Sequence, residues 1–166
     1  MKTLFILRHA KAENAASGMP DFERVLSERG RGQAQACGEF LKQQNLKLDL
    51  VLSSPALRAR ETAESVISAA GLNCDIRFDQ KIYEASSQTL FALVSEIDEA
   101  RSSLMMVGHN PGLEDLIHML TGRSEHLSPA MIAKISFEVE QWDGVSDNTS
   151  LLDWVVKPDQ LDAEQQ

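Results

Sequence analysis

Four short apolar runs restrict the fold of this chain more than any other feature. They lie at residues 3–8 (TLFILR), 49–54 (DLVLSS), 74–78 (CDIRF) and 103–109 (SLMMVGH). Continuous apolar runs of this length are typical of parallel strands that are covered on both faces. Segments with helical periodicity separate the runs, and strand–helix alternation favours a parallel sheet with right-handed crossovers. The pattern therefore predicts an α/β fold.

The helices between these strands carry predicted start signals. Ser27 is expected to cap the first helix, and Ser54 and Asn110, each followed by a proline, are expected to cap the helices after the second and fourth strands. The segment 87–100 is predicted to form another helix. Its apolar face consists of Leu90, Leu93, Val94 and Ile97.

The last third of the chain has a different pattern. Residues 131–140 and 150–158 alternate more strictly between polar and apolar side chains, and a Gly/Asp/Asn-rich turn region at 141–149 joins them. We expect two further strands here, at least one of them antiparallel to the rest. Residues 1–158 are predicted to form a single domain, followed by a polar C-terminal tail at 159–166.

The charge balance limits the possible partners. The formal net charge is −9 and the sequence pI is about 4.9. General binders of nucleic acid or of anionic membranes need a broad basic surface, which this composition argues against. A small local cationic pocket remains compatible with it.

The N-terminal segment and the cysteines bear on compartment and metal binding. The apolar run at the N-terminus is short and is interrupted by Arg8, unlike a secretory signal, and no run is as long as a membrane span. Cys37 and Cys74 lack the spacing of a zinc site and are expected to be reduced thiols. We therefore expect a cytoplasmic protein without a bound metal.

Cationic side chains follow three of the four apolar runs. Arg8 and His9 end the first, Arg58 lies in the first turn of the helix after the second, and His109 ends the fourth. Ligands of open α/β sheets bind beyond the carboxyl ends of the strands, so these groups are expected to face one point. The aperiodic stretch 12–24 is predicted to be a loop at the rim of this site.

Two arginines and two histidines at one point suit a phosphoryl group. Arginine forks bind phosphoryl oxygens through paired hydrogen bonds, and helix N-termini add free N–H groups. A histidine can attack phosphorus and form a covalent intermediate that water resolves, while the second histidine binds phosphate or donates a proton. Each residue alone would be read as structural, and only their joint placement predicts a site. His118, inside a helix, and His126, in a polar loop, are expected to be structural.

Four segments carry a resemblance to a known family. LRHAKAE, LSERGRGQA, SSPALRARETA and VGHNPG, which span residues 5–112, resemble in order the signatures of the histidine phosphatase superfamily, which has the phosphoglycerate-mutase-like fold. Within it, the short chain is most similar to SixA-type phosphohistidine phosphatases. The superfamily's glycine after Arg-His is Ala10 here, and Asn110 stands where the acid-phosphatase branch carries an aspartate, which argues against that branch.

The resemblance implies a fold and a set of roles. It implies a three-layer α/β/α architecture with a six-stranded mixed, mostly parallel sheet, and chemistry without a cofactor. His9 would be the nucleophile, and Arg8, Arg58 and His109 would form the phosphate pocket. The superfamily often carries a carboxylic general acid after the third strand, where this chain has Glu84. The alternative for Glu84 is a solvated loop carboxylate at the start of a helix.

The resemblance also indicates a substrate class. Members that act on small sugars generally carry insertions that cover the pocket, and 166 residues leave little sequence for such a cover. An open site suits a phosphorylated side chain on a partner protein, for example a histidine phosphotransfer domain of a phosphorelay. The alternatives are a phosphatase for small phosphoesters and a non-catalytic module that binds phosphate or phosphohistidine. A mutase fits less well, because an open site exposes its bisphosphate intermediate to water.

Overall fold

The computed structural model describes residues 1–146 and 149–164, in which the chain forms six strands and five α-helices. The strands are β1 (Lys2–Arg8), β2 (Leu50–Ser53), β3 (Asp75–Phe78), β4 (Ser103–Gly108), β5 (Ile132–Phe137) and β6 (Ser150–Val156). The helices are α1 (Glu28–Gln43), α2 (Leu57–Ala70), α3 (Ser87–Ser95), α4 (Gly112–Thr121) and α5 (Pro158–Glu164).

All six strands form one mixed sheet in the order β3-β2-β4-β1-β5-β6. The pairs β1/β4, β2/β4 and β2/β3 are parallel, while β5 runs antiparallel to both β1 and β6. The predicted six-stranded, mostly parallel sheet is confirmed. Because β1, β2 and β4 are neighbours and run in the same direction, their carboxyl ends meet at one edge of the sheet.

Two apolar cores lie on opposite faces of the sheet. Successive side chains of a strand point to opposite faces. Accordingly, Leu4 and Ile6 of β1 pack with α3 and α4, whereas Phe5 and Leu7 pack with α1 and α2. Helix α5 packs against α1 on the second face. This is the predicted three-layer α/β/α architecture, and it explains the continuous apolar runs of β1, β2 and β4, whereas the edge strand β3 is mostly exposed.

The predicted helix starts are correct in one case out of three. Ser27 caps α1 by accepting the N–H of Gly30 at 3.0 Å. The prediction for Ser54 is wrong, because α2 begins only at Leu57 and its N-cap residue is Ala56. The prediction for Asn110 is also wrong. Its Nδ2 donates to the carbonyl of Leu127 at 2.8 Å, and α4 begins at Gly112 after a cis Asn110–Pro111 peptide.

Three further segments differ from what the sequence pattern predicted. Helix α3 ends at Ser95 rather than at 100, although Ile97 still packs on the core. Within the turn region predicted at 141–149, Trp142 is fully buried and its Nε1 donates to the carbonyl of Arg101 at 2.7 Å. Residues 147–148 of that region lie outside the described residues. The segment predicted as a tail is helical in α5, and its last two residues, 165–166, lie outside the described residues.

Candidate active site

The structure brings Arg8, His9, Arg58 and His109 together at the carboxyl edge of the sheet. Arg8 is the last residue of β1, His109 follows β4, and Arg58 is the second residue of α2. The ring centroids of His9 and His109 are 5.1 Å apart. The charges of both arginines contribute to lowering the pKa of each histidine. The sequence therefore predicted this cluster correctly, while the chemical roles of its members remain proposals.

A backbone contact fixes the tautomer of neutral His9. Its Nδ1 lies 2.7 Å from the carbonyl oxygen of Ala10. A carbonyl oxygen only accepts, so Nδ1 carries the proton and Nε2 carries the lone pair. Burial, together with the charges of Arg58 and Arg8, outweighs the Ala10 bond and lowers the pKa of His9 from 6.5 to about 4. The ring is therefore neutral at pH 7, and its Nε2 carries an unshared electron pair.

His109 is held by Ser54, which lies in the segment that leads into α2, and by the aromatic ring of Tyr83. Its Nε2 lies 2.8 Å from Oγ of Ser54, and its ring packs edge-on against Tyr83 with centroids 5.6 Å apart. Burial and the neighbouring charges lower its pKa to about 3. Its Nδ1 is buried and has no hydrogen-bond partner among the described residues. In the tautomer in which the Ser54 hydroxyl donates to Nε2, Nδ1 carries the proton and can donate to a phosphoryl oxygen.

Each arginine of the cluster is anchored at one end of its guanidinium group. Arg8 donates from Nη1 to the carbonyl of Leu127 at 2.9 Å. Arg58 donates from Nη1 and Nη2 to the carbonyl and carboxylate oxygens of Asp21, at 2.9 and 3.0 Å. The Nε atoms of both arginines are buried and lack a partner among the described residues. Buried donors are costly when unpaired, and phosphoryl oxygens would satisfy both.

Asp21 is the main residue of this region that sequence reasoning missed, since it was placed only in the loop after β1. Besides Arg58, its carboxylate accepts the hydroxyl of Tyr83 at 2.7 Å and Nη1 of Arg24 at 3.0 Å. The Tyr83 hydrogen bond, and then those from Arg24 and Arg58, hold the pKa of Asp21 well below its usual range. A buried arginine needs a nearby anion, which is the signal that could have pointed to this loop.

Thr62 is a second residue that was missed. Its Oγ1 accepts the N–H of Ala10 at 3.0 Å and donates to the carbonyl of Arg58 at 2.7 Å. One hydroxyl thereby ties the residue after His9 to the residue that presents the second arginine. The threonine belongs to the SSPALRARETA segment, so the resemblance contained the signal.

Glu84 lies near the cluster but outside its hydrogen-bond network. It follows Tyr83 in the left-handed conformation, with φ of 55°, and is exposed. Together with His109 it lines a cleft of about 440 Å³. Among the described residues, its carboxylate has no hydrogen bond or ion pair. The structure places Glu84 beside the site without assigning it a role.

The other two histidines lie away from the cluster. His118 is exposed on α4, with Nδ1 3.4 Å from Oγ of Ser124, and His126 is exposed, with Nδ1 2.9 Å from a carboxylate oxygen of Glu114. Both line a separate surface cleft. Within residues 1–146 and 149–164, no group of three or more His, Cys, Asp or Glu side chains could hold a metal ion. In the same residues, no helix has the length and apolar character needed to cross a membrane.

Comparison with known proteins identifies the family. The sequence profile of the histidine phosphatase superfamily (branch 1) matches residues 4–111. The chain belongs to this superfamily. It is 32% identical over 154 residues to the phosphohistidine phosphatase SixA homolog of Haemophilus influenzae, which covers 85% of this chain and 88% of the relative. The superfamily match thus includes the site segments from β1 to Pro111.

Solved structures agree with this placement. The structure of a protein assigned as phosphohistidine phosphatase SixA from Agrobacterium tumefaciens aligns with a TM-score of 0.82 and 28% identity, covering 95% of this chain and 98% of that one. A protein histidine phosphatase SixA complexed with tungstate aligns with a TM-score of 0.78 over 96% and 99% of the two chains. At 24% identity, the latter likeness shows the fold alone. The chain is therefore a SixA-type member of the histidine phosphatase superfamily.

Proposed function

We propose that this protein hydrolyses phosphohistidine on a partner protein through a covalent phosphohistidine at His9. One observation carries the proposal: Nε2 of His9 has a free lone pair in a cluster where Nε of Arg8, Nε of Arg58 and Nδ1 of His109 are buried without partners among the described residues. A nucleophile surrounded by unused cationic and polar groups suits the attack on a phosphoryl group.

The first step transfers the phosphoryl group to His9. The lone pair of Nε2 forms a bond to phosphorus, the P–N bond of the substrate breaks, and the departing imidazole takes up one proton from the solvent. The Nε edges of Arg8 and Arg58 hold the phosphoryl oxygens as the negative charge shifts. The Ala10 carbonyl stabilises the imidazolium character that His9 acquires, because it accepts the Nδ1 proton throughout.

The second step returns the enzyme to its starting state. A water oxygen bonds to phosphorus, the P–Nε2 bond breaks, and its electron pair returns to Nε2. The water releases one proton to the solvent as inorganic phosphate forms, which balances the proton taken up in the first step, so that the net reaction consumes one water. Each step needs only the side chains of the cluster and the solvent.

A phosphohistidine substrate is supported by the name of one relative and by the exposed position of Glu84. The Haemophilus influenzae relative is named as a phosphohistidine phosphatase homolog, and it matches most of this chain. An imidazole is a good leaving group, so the reaction does not require a strongly placed acid, in keeping with the exposed position of Glu84. A histidine phosphotransfer domain of a phosphorelay is the partner class we propose.

A small phosphoester is the second candidate substrate, and Glu84 is the observation that favours it. A carboxyl group that shares a cleft with His109 could protonate a basic alkoxide leaving group.

A non-catalytic module that binds phosphate or phosphohistidine is the third candidate, and such a module has no need for the free Nε2 of His9.

The deciding experiment compares kcat/KM on a phosphorylated histidine phosphotransfer domain with kcat/KM on a panel of small phosphoesters. We expect faster turnover of the phosphoprotein by the wild type and none by His9→Ala. Preference for the phosphoesters would favour the second candidate. Stoichiometric binding of the phosphoprotein without release of phosphate would favour the third.

A further inference from the structure

We propose that Asp21 is a positioning residue that holds Arg58 by its Nη groups, so that the Nε edge of this arginine is presented to the phosphoryl group. The inference rests on the proposed phosphoryl chemistry of the site and adds to it a residue from the loop after β1. It concerns the phosphate-binding half of the site, and therefore holds for either substrate class.

The pattern of used and unused donors carries the inference. A guanidinium group has five N–H donors in a rigid planar fork. Asp21 engages one donor on Nη1 and one on Nη2 of Arg58, through its backbone carbonyl and its carboxylate. The Nε–H remains buried and unpartnered among the described residues. Nε–H and the remaining hydrogen on the adjacent Nη form a second fork edge, which matches two oxygens of an anion.

Asp21 is itself anchored from two sides. Its carboxylate accepts the hydroxyl of Tyr83 at 2.7 Å and Nη1 of Arg24 at 3.0 Å. The ring of the next residue, Phe22, packs edge-on against Tyr83 with centroids 5.1 Å apart. Since Tyr83 also packs against His109, one carboxylate links the loop after β1 to the segment that supports the second histidine. Both phosphate-binding groups are thereby preorganised by the same contact.

The positioning role and the plain electrostatic effect of Asp21 predict opposite changes in phosphate affinity when its carboxylate is removed. A carboxylate close to an anion site repels the anion, so removing its charge should tighten phosphate binding if charge were all that mattered. The same tightening would follow if Asp21 acted as an internal anion that competes for Arg58. If the Asp21 carboxylate positions Arg58, its removal leaves Nη2 without this acceptor, only the backbone carbonyl still holds Nη1, the guanidinium can turn, and phosphate binding should weaken.

The test measures the dissociation constant of inorganic phosphate by calorimetry, and kcat and KM for p-nitrophenyl phosphate. The proteins are the wild type, Asp21→Asn, Asp21→Ala and the control Glu23→Gln. Glu23 is exposed in the same short 3₁₀ turn and has no side-chain partner among the described residues. We expect Asp21→Ala to weaken phosphate binding and to lower kcat/KM about 10–100-fold, the scale of a misplaced binding group. Asp21→Asn should give phosphate binding and kcat/KM between those of the wild type and Asp21→Ala, because its amide oxygen still accepts from Arg58. Glu23→Gln should match the wild type in both measurements.

A double-mutant cycle tests whether Asp21 acts through Arg58. We expect Asp21→Ala to cause no further loss of phosphate binding in an Arg58→Ala background. An equal loss in both backgrounds would overturn the inference, as would tighter phosphate binding by Asp21→Asn or Asp21→Ala. Asp21→Asn retains a hydrogen-bond acceptor and serves as the informative variant if Asp21→Ala unfolds.

The same data separate this inference from the proposed function. A wild type that binds phosphate and cleaves p-nitrophenyl phosphate but not phosphohistidine would contradict the proposed function and leave the Asp21 result standing. A wild type that behaves as proposed, with Asp21 variants equal to Glu23→Gln, would contradict the inference alone. A wild type that binds no phosphate and cleaves neither substrate would contradict both.

Discussion

Nδ1 of His9 donates its proton to the carbonyl oxygen of Ala10, its neighbour along the chain, across 2.7 Å. The contact is local, and Thr62 fixes it by accepting the N–H of the same alanine at 3.0 Å. The tautomer of the proposed nucleophile therefore depends on the backbone after β1 and not on a partner side chain. Nε2 is left unprotonated as long as the ring is neutral.

The neutral state of His9 should appear in the pH dependence of stability. Its pKa is lowered from 6.5 to about 4 in the folded protein, chiefly by burial, so between these pH values the unfolded chain binds a proton that the folded chain does not. The burial of a neutral His9 therefore costs no stability above pH 6.5 and lowers stability as pH falls towards 4, by about 1.4 kcal/mol per pH unit from this group alone. We expect the free energy of unfolding of His9→Gln, from urea titrations in phosphate-free buffer, to fall less steeply between pH 6.5 and 4.5. Equal slopes for the two proteins would contradict the assigned neutral state.

Arg58 should matter far more than Arg60, which lies two residues further along α2. The two side chains are rotated by about 200° around the helix axis. Arg60 lies on the surface, where it pairs with Glu64 at 3.0 Å and packs over Phe78. Arg58→Ala is expected to cost about 3 kcal/mol of transition-state stabilisation, the scale of losing a preorganised donor. Arg60→Ala, the matched control, should leave kcat/KM close to wild type, and the reverse ranking would mean that the anion site is misplaced.

Glu84 should matter only for poor leaving groups. A general acid contributes about 10²–10⁴-fold when an alkoxide departs, and little when an imidazole or a nitrophenolate departs. We expect Glu84→Gln to reduce kcat/KM for an alkyl phosphate much more than for phosphohistidine or p-nitrophenyl phosphate at the same pH. Ratios near one for all three substrates would place Glu84 outside the chemistry. A large uniform loss would show that it positions phosphate or supports the fold.

Activity should not depend on a divalent metal. The cationic charge of the site comes from Arg8 and Arg58, and the described residues contain no cluster suited to a metal ion. We expect dialysis against a chelator to leave the rate on phosphohistidine unchanged. A loss of about tenfold that a divalent ion restores would contradict this account of how charge is neutralised.

The sequence was sufficient to predict the sheet and the four residues at its carboxyl edge. Apolar runs define buried strands, and strand ends in an α/β fold share one edge, so Arg8, His9, Arg58 and His109 could be brought together without coordinates. Helix starts were harder, because a serine or asparagine before a proline can serve a tertiary contact. Ser54 contacts His109, and Asn110 contacts Leu127, instead of capping the helices that follow.

Asp21 illustrates what the sequence pattern could not supply. Its partners Arg58 and Tyr83 are 37 and 62 residues away along the chain, and an aperiodic loop carries no signal for such distant pairing. The same limit applies to Trp142, which lies in the segment predicted as a turn region but is fully buried in the core. In both cases the tertiary contact, and not the local pattern, decides the position of the side chain.

The covalent intermediate at His9 is the central claim, and trapping it tests that claim most directly. The enzyme would be mixed with a phosphotransfer domain labelled with ³²P on histidine, quenched in base within milliseconds, and digested for mass spectrometry. We expect a phosphoryl group that is stable in base and labile in acid on the peptide containing His9, and none on His9→Ala, whose folded state circular dichroism would verify. Turnover by His9→Ala, or a trapped phosphoryl group on another residue, would contradict the account.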